Sequence, residues 1–204
     1  MLQEVTAEIE KTAKAVVNEI HTALPGEIIS FDGGMATVKP IGKYVTSDGV
    51  KLDYPTITEA PVIFPFCQSS GVGIAFPVKK GDSCIILVSE VELDAWRTGS
   101  ESLGSLKFDL SSAMVIPGLL EKSYEPMIRA SSGNAVIIKA GGAEIMVNDG
   151  GCTIDTGSTV MELDDGGVHI DGSLTVTGDI KAGSVSLKNH IHVDSTGGDT
   201  KKPK

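Results

Sequence analysis

The chain has 204 residues, of which 41% are hydrophobic, enough for one ordinary globular core with sequence left over. Its 17 basic and 27 acidic residues give a formal net charge of −10, and no basic stripe is interleaved with aromatic residues. This composition argues against nucleic-acid binding.

Membrane and disulfide signals are absent from the sequence. No apolar run approaches the roughly 18 residues of a membrane span, and the N-terminus lacks the basic and apolar regions of a signal peptide. We therefore expect a protein that is made and kept in the cytosol. The three cysteines, Cys67, Cys84 and Cys152, show no C-x-x-C spacing, and we expect them to be reduced, buried small hydrophobes.

A change in composition near Ala130 divides the chain. All nine aromatic residues precede residue 125, whereas 13 of the 24 glycines lie at or after Gly133. Together with the patterns described below, this predicts four regions: an N-terminal helix (1–24), a barrel domain (25–129), a repetitive β region (130–187) and a tip (188–204).

The first region carries apolar residues at helical spacing and stops at Pro25-Gly26. The pattern predicts an amphipathic helix over residues 2–24. Its apolar stripe either packs on the helix's own domain or serves in docking to a hub or in self-association. The stripe consists of Leu2, Val5, Ile9, Val16, Ile20 and Leu24.

The second region is β-rich. Strands are predicted at 27–32, 35–39, 61–66, 73–78 and 83–89, with turns at Gly33-Gly34 and at residues 79–82. Residues 93–99 are predicted to form a short helix or strand. Five strands in about 100 residues indicate a small barrel, although an open sandwich would give nearly the same pattern.

The third region is a repeat of short alternating segments punctuated by glycine, aspartate or asparagine. Apolar or small residues two positions apart define one inward face. The spacing between successive pairs shortens from nine residues to five, which predicts a structure that tapers. The pairs are Val136/Ile138, Ile145/Val147, Cys152/Ile154, Met161/Leu163, Val168/Ile170, Leu174/Val176, Ile180/Ala182 and Val185/Leu187.

Such segments cannot form a closed core in a single chain, because each offers only two apolar side chains and none is aromatic. We therefore predict a homotrimer in which each strand pairs with strands of neighbouring chains and the inward pairs stack along a common axis. The predicted fold is mainly β, with an intertwined triple-stranded β-helix. Polar residues should face outward, namely Asn134, Glu144, Asp155, Glu162 and Asp171.

Two histidines, His190 and His192, follow the last repeat. In an extended chain both imidazoles point the same way. A threefold axis would bring together two imidazoles from each of three chains, which makes six. Six imidazoles suit an octahedral transition ion such as iron; nickel remains an alternative, and the tetrahedral preference of zinc argues against it. One ion that crosslinks three chains would replace a hydrophobic core at a point too narrow to hold one.

The remaining histidines are not expected to be ligands. His169 lies between two inward positions and should face solvent, and His21 is placed on the N-terminal helix. The polar, glycine-rich tail after Val193 is predicted to fold back through Gly197-Gly198.

The sequence resembles the membrane-puncturing central spikes of contractile-tail phage baseplates, a family that includes the spike of phage Mu. The resemblance implies an oligonucleotide/oligosaccharide-binding (OB)-type barrel, a triple-stranded β-helix and an apex where His190 and His192 of three chains bind one iron ion. It also implies a place at the baseplate tip of the virion, with a tail hub protein and the host outer membrane as partners. The matching segments are Pro25-Gly-Glu-Ile-Ile-Ser-Phe, Pro77-Val-Lys-Lys-Gly-Asp, Leu93-Asp-Ala-Trp, Met114-Val-Ile-Pro-Gly and Lys188-Asn-His-Ile-His.

Catalysis is not expected. Related spikes can carry a lysozyme domain, but this chain has no insertion long enough for one and no paired-carboxylate or nucleophile motif. Two other functions remain open. A trimeric receptor-binding fibre or adhesin should end in a binding head, and a metalloenzyme using the two histidines would need an open coordination position and a pocket.

Overall fold

The computed structural model describes residues 2–18, 20–46, 49–99, 101 and 107–202. The chain is mainly β and divides into two compact units, Met1–Lys122 and Ser123–Lys204. Among the described residues, no helix is long and apolar enough to cross a membrane.

The described residues of the first unit form two α-helices and nine strands. Its helices are α1 (Leu2–Asn18) and α2 (Asp94–Thr98), and a 3-10 turn spans Leu110–Ser112. Its strands are β1 (Ala23–Asp32), β2 (Met35–Pro40), β3 (Lys43–Val45), β4 (Lys51–Asp53), β5 (Ile57–Pro61), β6 (Phe66–Cys67), β7 (Val72–Gly73), β8 (Ser83–Val88) and β9 (Ala113–Pro117).

The N-terminal helix is shorter than predicted. It ends at Asn18, and Leu24 lies in β1 opposite Ile86 of β8, so long-range strand pairing overrides the helical pattern there. The apolar side chains of Val5, Ile9 and Val16 are more than half exposed, and they do not pack on the helix's own unit. The side chain of Leu2 lies outside the described part of the chain.

Five strands form a half-barrel sheet in the order β5-β2-β1-β8-β9. Just after the edge strand β5, Val62 forms an isolated parallel bridge to Val115 of the other edge strand, β9, and the backbone N–H of Ile63 donates to the oxygen of Val115 at 2.8 Å. A β-bulge between Ile28 and Ser30 bends β1, which pairs with β8 along its first half and with β2 along its second. One hydrophobic core fills this sheet, formed by Ile28, Ala36, Val38, Ile57, Ala60, Val78, Cys84, Ile86, Ala113 and Val115.

Two predicted strands of this unit were wrong in detail, and so was the predicted burial of one of its cysteines. Of the strands predicted at 61–66 and 73–78, only end residues lie in strands: Pro61 ends β5, Phe66 begins β6 and Gly73 ends β7. Pro65 and Pro77 lack the N–H that a longer ladder would need. Cys84 is buried as expected, but Cys67 is exposed and Cys152 is half-buried. Residues 94–98 adopt the helical alternative, as α2.

Over residues 123–202, the second unit contains one helix, α3 (Glu125–Ser132), and seven strands. Consecutive antiparallel pairing of the first five gives a sheet in the order β10-β11-β12-β13-β14, and the last two form a small hairpin. The strands are β10 (Val136–Ala140), β11 (Ala143–Asn148), β12 (Gly151–Asp155), β13 (Val160–Asp164), β14 (Gly167–Asp171), β15 (Lys181–Ala182) and β16 (Val185–Ser186).

The pairing of these strands differs from the prediction. Each was expected to pair with strands of neighbouring chains, whereas β10 to β14 pair with one another within the chain. The sequence contains the reason: Gly141-Gly142, Asp149-Gly150 and Asp165-Gly166 are two-residue connections of the kind that closes hairpins. In two of them the preceding side chain, Asn148 or Asp164, accepts a hydrogen bond from the glycine N–H two residues later.

Candidate assembly face and metal centre

Ten apolar side chains of the second unit lie on one face of the five-stranded sheet, which we call the apolar face. Directly paired residues share a face, so the registers of β10 to β14 arrange these side chains in two columns of five. The first column is Val136, Val147, Cys152, Leu163 and Val168, and the second is Ile138, Ile145, Ile154, Met161 and Ile170. The first five predicted inward pairs are therefore on a common face.

The apolar face is uncovered in the single chain. Val136 is 65% exposed, Val168 is 60% exposed and even Ile154, on the central strand, is 38% exposed. Throughout residues 123–202, no residue is buried. This unit therefore has regular backbone structure without a hydrophobic core of its own.

The opposite face of the sheet is largely polar, as predicted. Its polar residues include Glu144, Asp155, Glu162, Asp171 and the exposed His169, and the same registers also place Ile137, Met146 and Val160 on this face. The sheet thus presents one apolar side and one polar side, the pattern of a sheet that covers a core with one face and meets water with the other.

One ion-pair cluster links α3 to the polar face. The Arg129 guanidinium donates to the carboxylate of Glu144, and its Nε lies 2.6 Å from Glu125 Oε1. Lys139 Nζ lies 3.3 Å from the same Glu144 carboxylate. Hydrogen bonding from Arg129, assisted by Lys139, holds the pKa of Glu144 below its ordinary value.

The remaining predicted pairs lie beyond the sheet. In the β15–β16 hairpin, Ala182 pairs with Val185, and the N–H of Leu187 donates to the oxygen of Ile180, so two further apolar pairs share a face. Leu174 and Val176 lie in a segment with no strand assigned, where both side chains are exposed. The segment from 173 to 178 therefore has no ladder partner within the described chain.

His190 is oriented by the turn after β16. Its N–H donates to the oxygen of Ser186 at 2.9 Å, and its ring Nδ1 lies 2.8 Å from the same oxygen and 3.1 Å from the oxygen of Leu187. Because a carbonyl oxygen can only accept, Nδ1 must carry the proton. Nε2 is then left with its lone pair, and this is the arrangement by which metal-binding histidines are usually fixed.

His192 is held by the tail, which folds back as predicted. Its N–H donates to Thr200 Oγ1 at 2.8 Å, and the N–H of Thr200 donates to the oxygen of His192 at 2.7 Å. The tail turns at Asp194, whose Oδ1 accepts hydrogen bonds from Thr196 and Gly198. These bonds, above all that from the Thr196 hydroxyl, lower the pKa of Asp194. The last two residues of the predicted tip region lie outside the described residues.

The structure brings the two predicted ligands together. The ring centroids of His190 and His192 are 5.0 Å apart and the rings are nearly perpendicular, at 85°. Among the described residues, no group of three or more histidine, cysteine, aspartate or glutamate side chains is arranged to hold a metal ion. Within one chain, the tip therefore supplies two imidazoles.

His21 is not on the N-terminal helix, where it was predicted. It lies in the connection between α1 and β1, and its ring packs edge-on against Tyr54 with centroids 5.7 Å apart. The error follows from the early end of α1.

Comparison with known proteins adds an independent observation. Residues 24–118 match the family model described as the phage protein Gp138 N-terminal domain. No curated protein matches the chain. The match covers the half-barrel unit and does not single out the spike of phage Mu. It indicates a structural, virion-associated phage protein of the Gp138 or baseplate-spike type.

Proposed function

We propose that the protein is the homotrimeric central spike of a contractile phage tail or a related injection machine, and that it pierces the bacterial outer membrane when the sheath contracts. The observation that carries the proposal is the second unit, residues 123–202, which has no buried residue although ten apolar side chains share one face of its sheet. A phage structural domain precedes this unit in the chain.

Three copies would supply the missing core. A soluble protein rarely leaves an apolar patch of this extent open to water. If three apolar faces turn toward a common axis, their columns run along that axis and close a dry interior, while the polar faces remain in water. Within each chain the five strands already pair with one another, except along the outer edges of β10 and β14, so this part of the shaft would be a three-sided prism of sheets.

The three chains would intertwine in the segment that follows β14. Residues 173–178 have exposed apolar side chains and no ladder partner within the described chain. Strands from the two neighbouring copies would cover the side chains and supply the ladder partners. The triple-stranded β-helix is therefore proposed for the end of the shaft, beyond β14. Such a shaft would be stiff, because each layer is joined to the next by ladder hydrogen bonds.

The tip residues fit an iron ion. His190 Nδ1 is committed to backbone oxygen, which leaves Nε2 for coordination, and the ring of His192 lies close by. Three copies of the pair would hold the ion with six imidazoles, an octahedral set. Bound there, iron would crosslink the three chains at a point too narrow for a hydrophobic core. A saturated set leaves no open position for substrate, so we propose a structural role without catalysis.

The partners follow from the mechanical role. The half-barrel unit and the exposed stripe of α1 would be seated on the tail hub, and the tip would meet the host outer membrane transiently. No nucleic acid partner is proposed, since the net charge of −10 repels phosphate.

Elemental analysis combined with native mass measurement tests this proposal. We expect a trimer with one iron ion per three chains. A folded monomer would contradict the spike, and so would turnover of a substrate that disappears in His192→Ala.

A receptor-binding fibre is the alternative that must be distinguished. Electron microscopy of phage particles carrying a tagged copy of this chain should place the tag on the tail axis at the baseplate centre. Tags at the baseplate periphery would favour a fibre and contradict the central spike.

A further inference from the structure

A groove of about 670 Å³ lies in the first unit, and the described residues that line it all belong to that unit. It is lined by residues of β3 and β4, by the segment that follows β4 and leads into β5, by Asp109 with the start of the 3-10 turn, and by His21. Its volume is within the range of about 300–1,000 Å³ that small-molecule sites usually occupy. Nothing in the proposed piercing role uses it.

Three rings cluster in this groove. Tyr54 packs edge-on against His21, at a centroid distance of 5.7 Å, and against Tyr44, at 6.3 Å. All three rings are half-buried, so mutual contact fixes their orientation while part of each ring still faces the groove. Fixed, partly exposed rings provide apolar surface at little cost in conformational entropy.

The polar groups of the groove are acceptors and hydroxyls. Asp109 Oδ1 accepts from the N–H of Ser111 at 2.8 Å and from its hydroxyl at 2.6 Å. These bonds lower the pKa of Asp109 and keep the carboxylate ionised at neutral pH. Within the described part of the chain, Oδ2 of Asp109 keeps its lone pairs for a ligand. Thr56, Thr58 and Ser111 add hydroxyl groups to the lining.

The charge of the lining excludes several ligand classes. Among the described residues that line the groove, none is lysine or arginine. The carboxylate of Asp53 is neutralised by Lys43, whose Nζ lies 2.5 Å away, so Asp109 dominates the local charge. A phosphate, sulfate or other anion would find no cation and one repelling carboxylate.

We propose that this groove binds a neutral saccharide. The C–H faces of a sugar ring pack against aromatic side chains, and its hydroxyl groups donate to a carboxylate that Ser111 holds in place through hydrogen bonds to Oδ1. A purely apolar ligand would leave Asp109 and the threonine hydroxyls unpaired. The inference concerns the half-barrel unit alone and does not depend on the trimer or on iron.

The test uses the full-length protein and a panel of neutral oligosaccharides, namely short oligomers of glucose, galactose, mannose and N-acetylglucosamine. Isoleucine methyl NMR reports the site directly, because Ile57 is a core residue that also lines the groove, whereas Ile28 is a core residue that does not line it and Ile145 lies in the second unit. We expect at least one oligomer to shift the Ile57 methyl signal in a saturable manner and to leave Ile145 unchanged. If no neutral oligomer shifts Ile57, the proposal is wrong.

Variants locate the binding and its chemistry. Tyr54→Ala should weaken calorimetric binding by roughly tenfold or more through loss of ring contact. Asp109→Asn keeps an oxygen for Ser111 but removes the charged acceptor, and it should weaken binding severalfold. Tyr124→Ala is the matched control, since Tyr124 is a half-exposed tyrosine of the other unit, and binding should not change.

Two results would overturn the assignment even if a saccharide binds. One is unchanged affinity in both Asp109→Asn and a folded Tyr54→Ala, since the ligand would then lie elsewhere. The other is a preference for heparin or for a single-stranded oligonucleotide over every neutral oligomer, because an anionic ligand contradicts the charge of the lining.

Discussion

Gly151, the first residue of β12, lies where a side chain cannot be accommodated. Its φ is +135°, and a Cβ built there would overlap the backbone oxygen of Leu163 on the neighbouring strand. We predict that Gly151→Ala destabilises the protein by about 2–3 kcal/mol, because both the backbone conformation and the close approach to β13 are lost.

Gly142 provides the matched control for this prediction. It also connects two strands of the same sheet, but nothing lies within 4 Å of a Cβ built there. Chemical denaturation should show little change for Gly142→Ala and a clearly lower midpoint for Gly151→Ala. Equal effects of the two substitutions would mean that the register of β12 and β13 described above is wrong.

The tip histidines make a second prediction at the scale of single residues. His190→Ala and His192→Ala should each reduce the iron content to a small fraction of one ion per trimer, since three of six ligands are lost. The proposed trimer should persist, because contact between the apolar faces would still hold it together. His169→Ala, which removes an exposed histidine of the polar face, should keep its iron. Wild-type iron content in both tip variants would refute the tip assignment.

At the scale of elements, neighbouring residues of strand β12 lie on opposite faces of the sheet. Ile154 lies in the second apolar column, whereas its neighbour Thr153 faces the polar side opposite Glu162. We predict that Ile154→Lys dissociates the trimer, because a buried unpaired ammonium in the interior costs several kcal/mol per chain. Thr153→Lys should leave the mass unchanged, since its ammonium can pair with Glu162. Analytical ultracentrifugation of the two variants provides the comparison, and a stable Ile154→Lys trimer would contradict the proposed interface.

The link between α3 and the polar face predicts a pH dependence. The pKa of Glu144 is lowered in the folded state by Arg129, so its contribution to stability is complete above the ordinary glutamate pKa and is lost as the pH falls through the folded value. Thermal unfolding should therefore show a stability that decreases below about pH 4.5. Arg129→Met should make that decrease shallower. An identical acid profile in the variant would show that the ion pair does not couple to folding.

Much of the second unit could be predicted from period-two alternation. The five pairs from Val136/Ile138 to Val168/Ile170 share one face, as their spacing implies, because side-chain direction in a strand is set by local geometry. The partners of the strands were mispredicted, since pairing depends on the connections. The Gly-Gly and Asp-Gly dipeptides between the repeated segments are hairpin signals, and they outweigh the repeat pattern that predicts pairing between chains.

The first unit shows the opposite limit of sequence patterns. Strand β8 was predicted within one residue, whereas Leu24 and His21 were assigned to a helix that ends before them. The groove was not predicted, because Tyr54 and Asp109 are far apart in sequence and only the folding of the whole unit brings them together. Long-range pairing of this kind leaves no local signal.

For the whole molecule, the two units differ in how their stability arises. The half-barrel unit has ten buried core residues of its own, so it can be stable in one copy. Residues 123–202 have none, so their stability should depend on protein concentration, as in obligate oligomers. A spike built in this way joins a self-sufficient base to a shaft that exists only in the assembled form.

Native mass spectrometry over a dilution series, with hydrogen exchange on the same samples, tests this claim most directly. We predict a mass of three 21.2 kDa chains, with the amides of residues 136–171 protected only while the trimer persists. A single folded chain at high dilution whose amides in 136–171 remain protected would contradict the account.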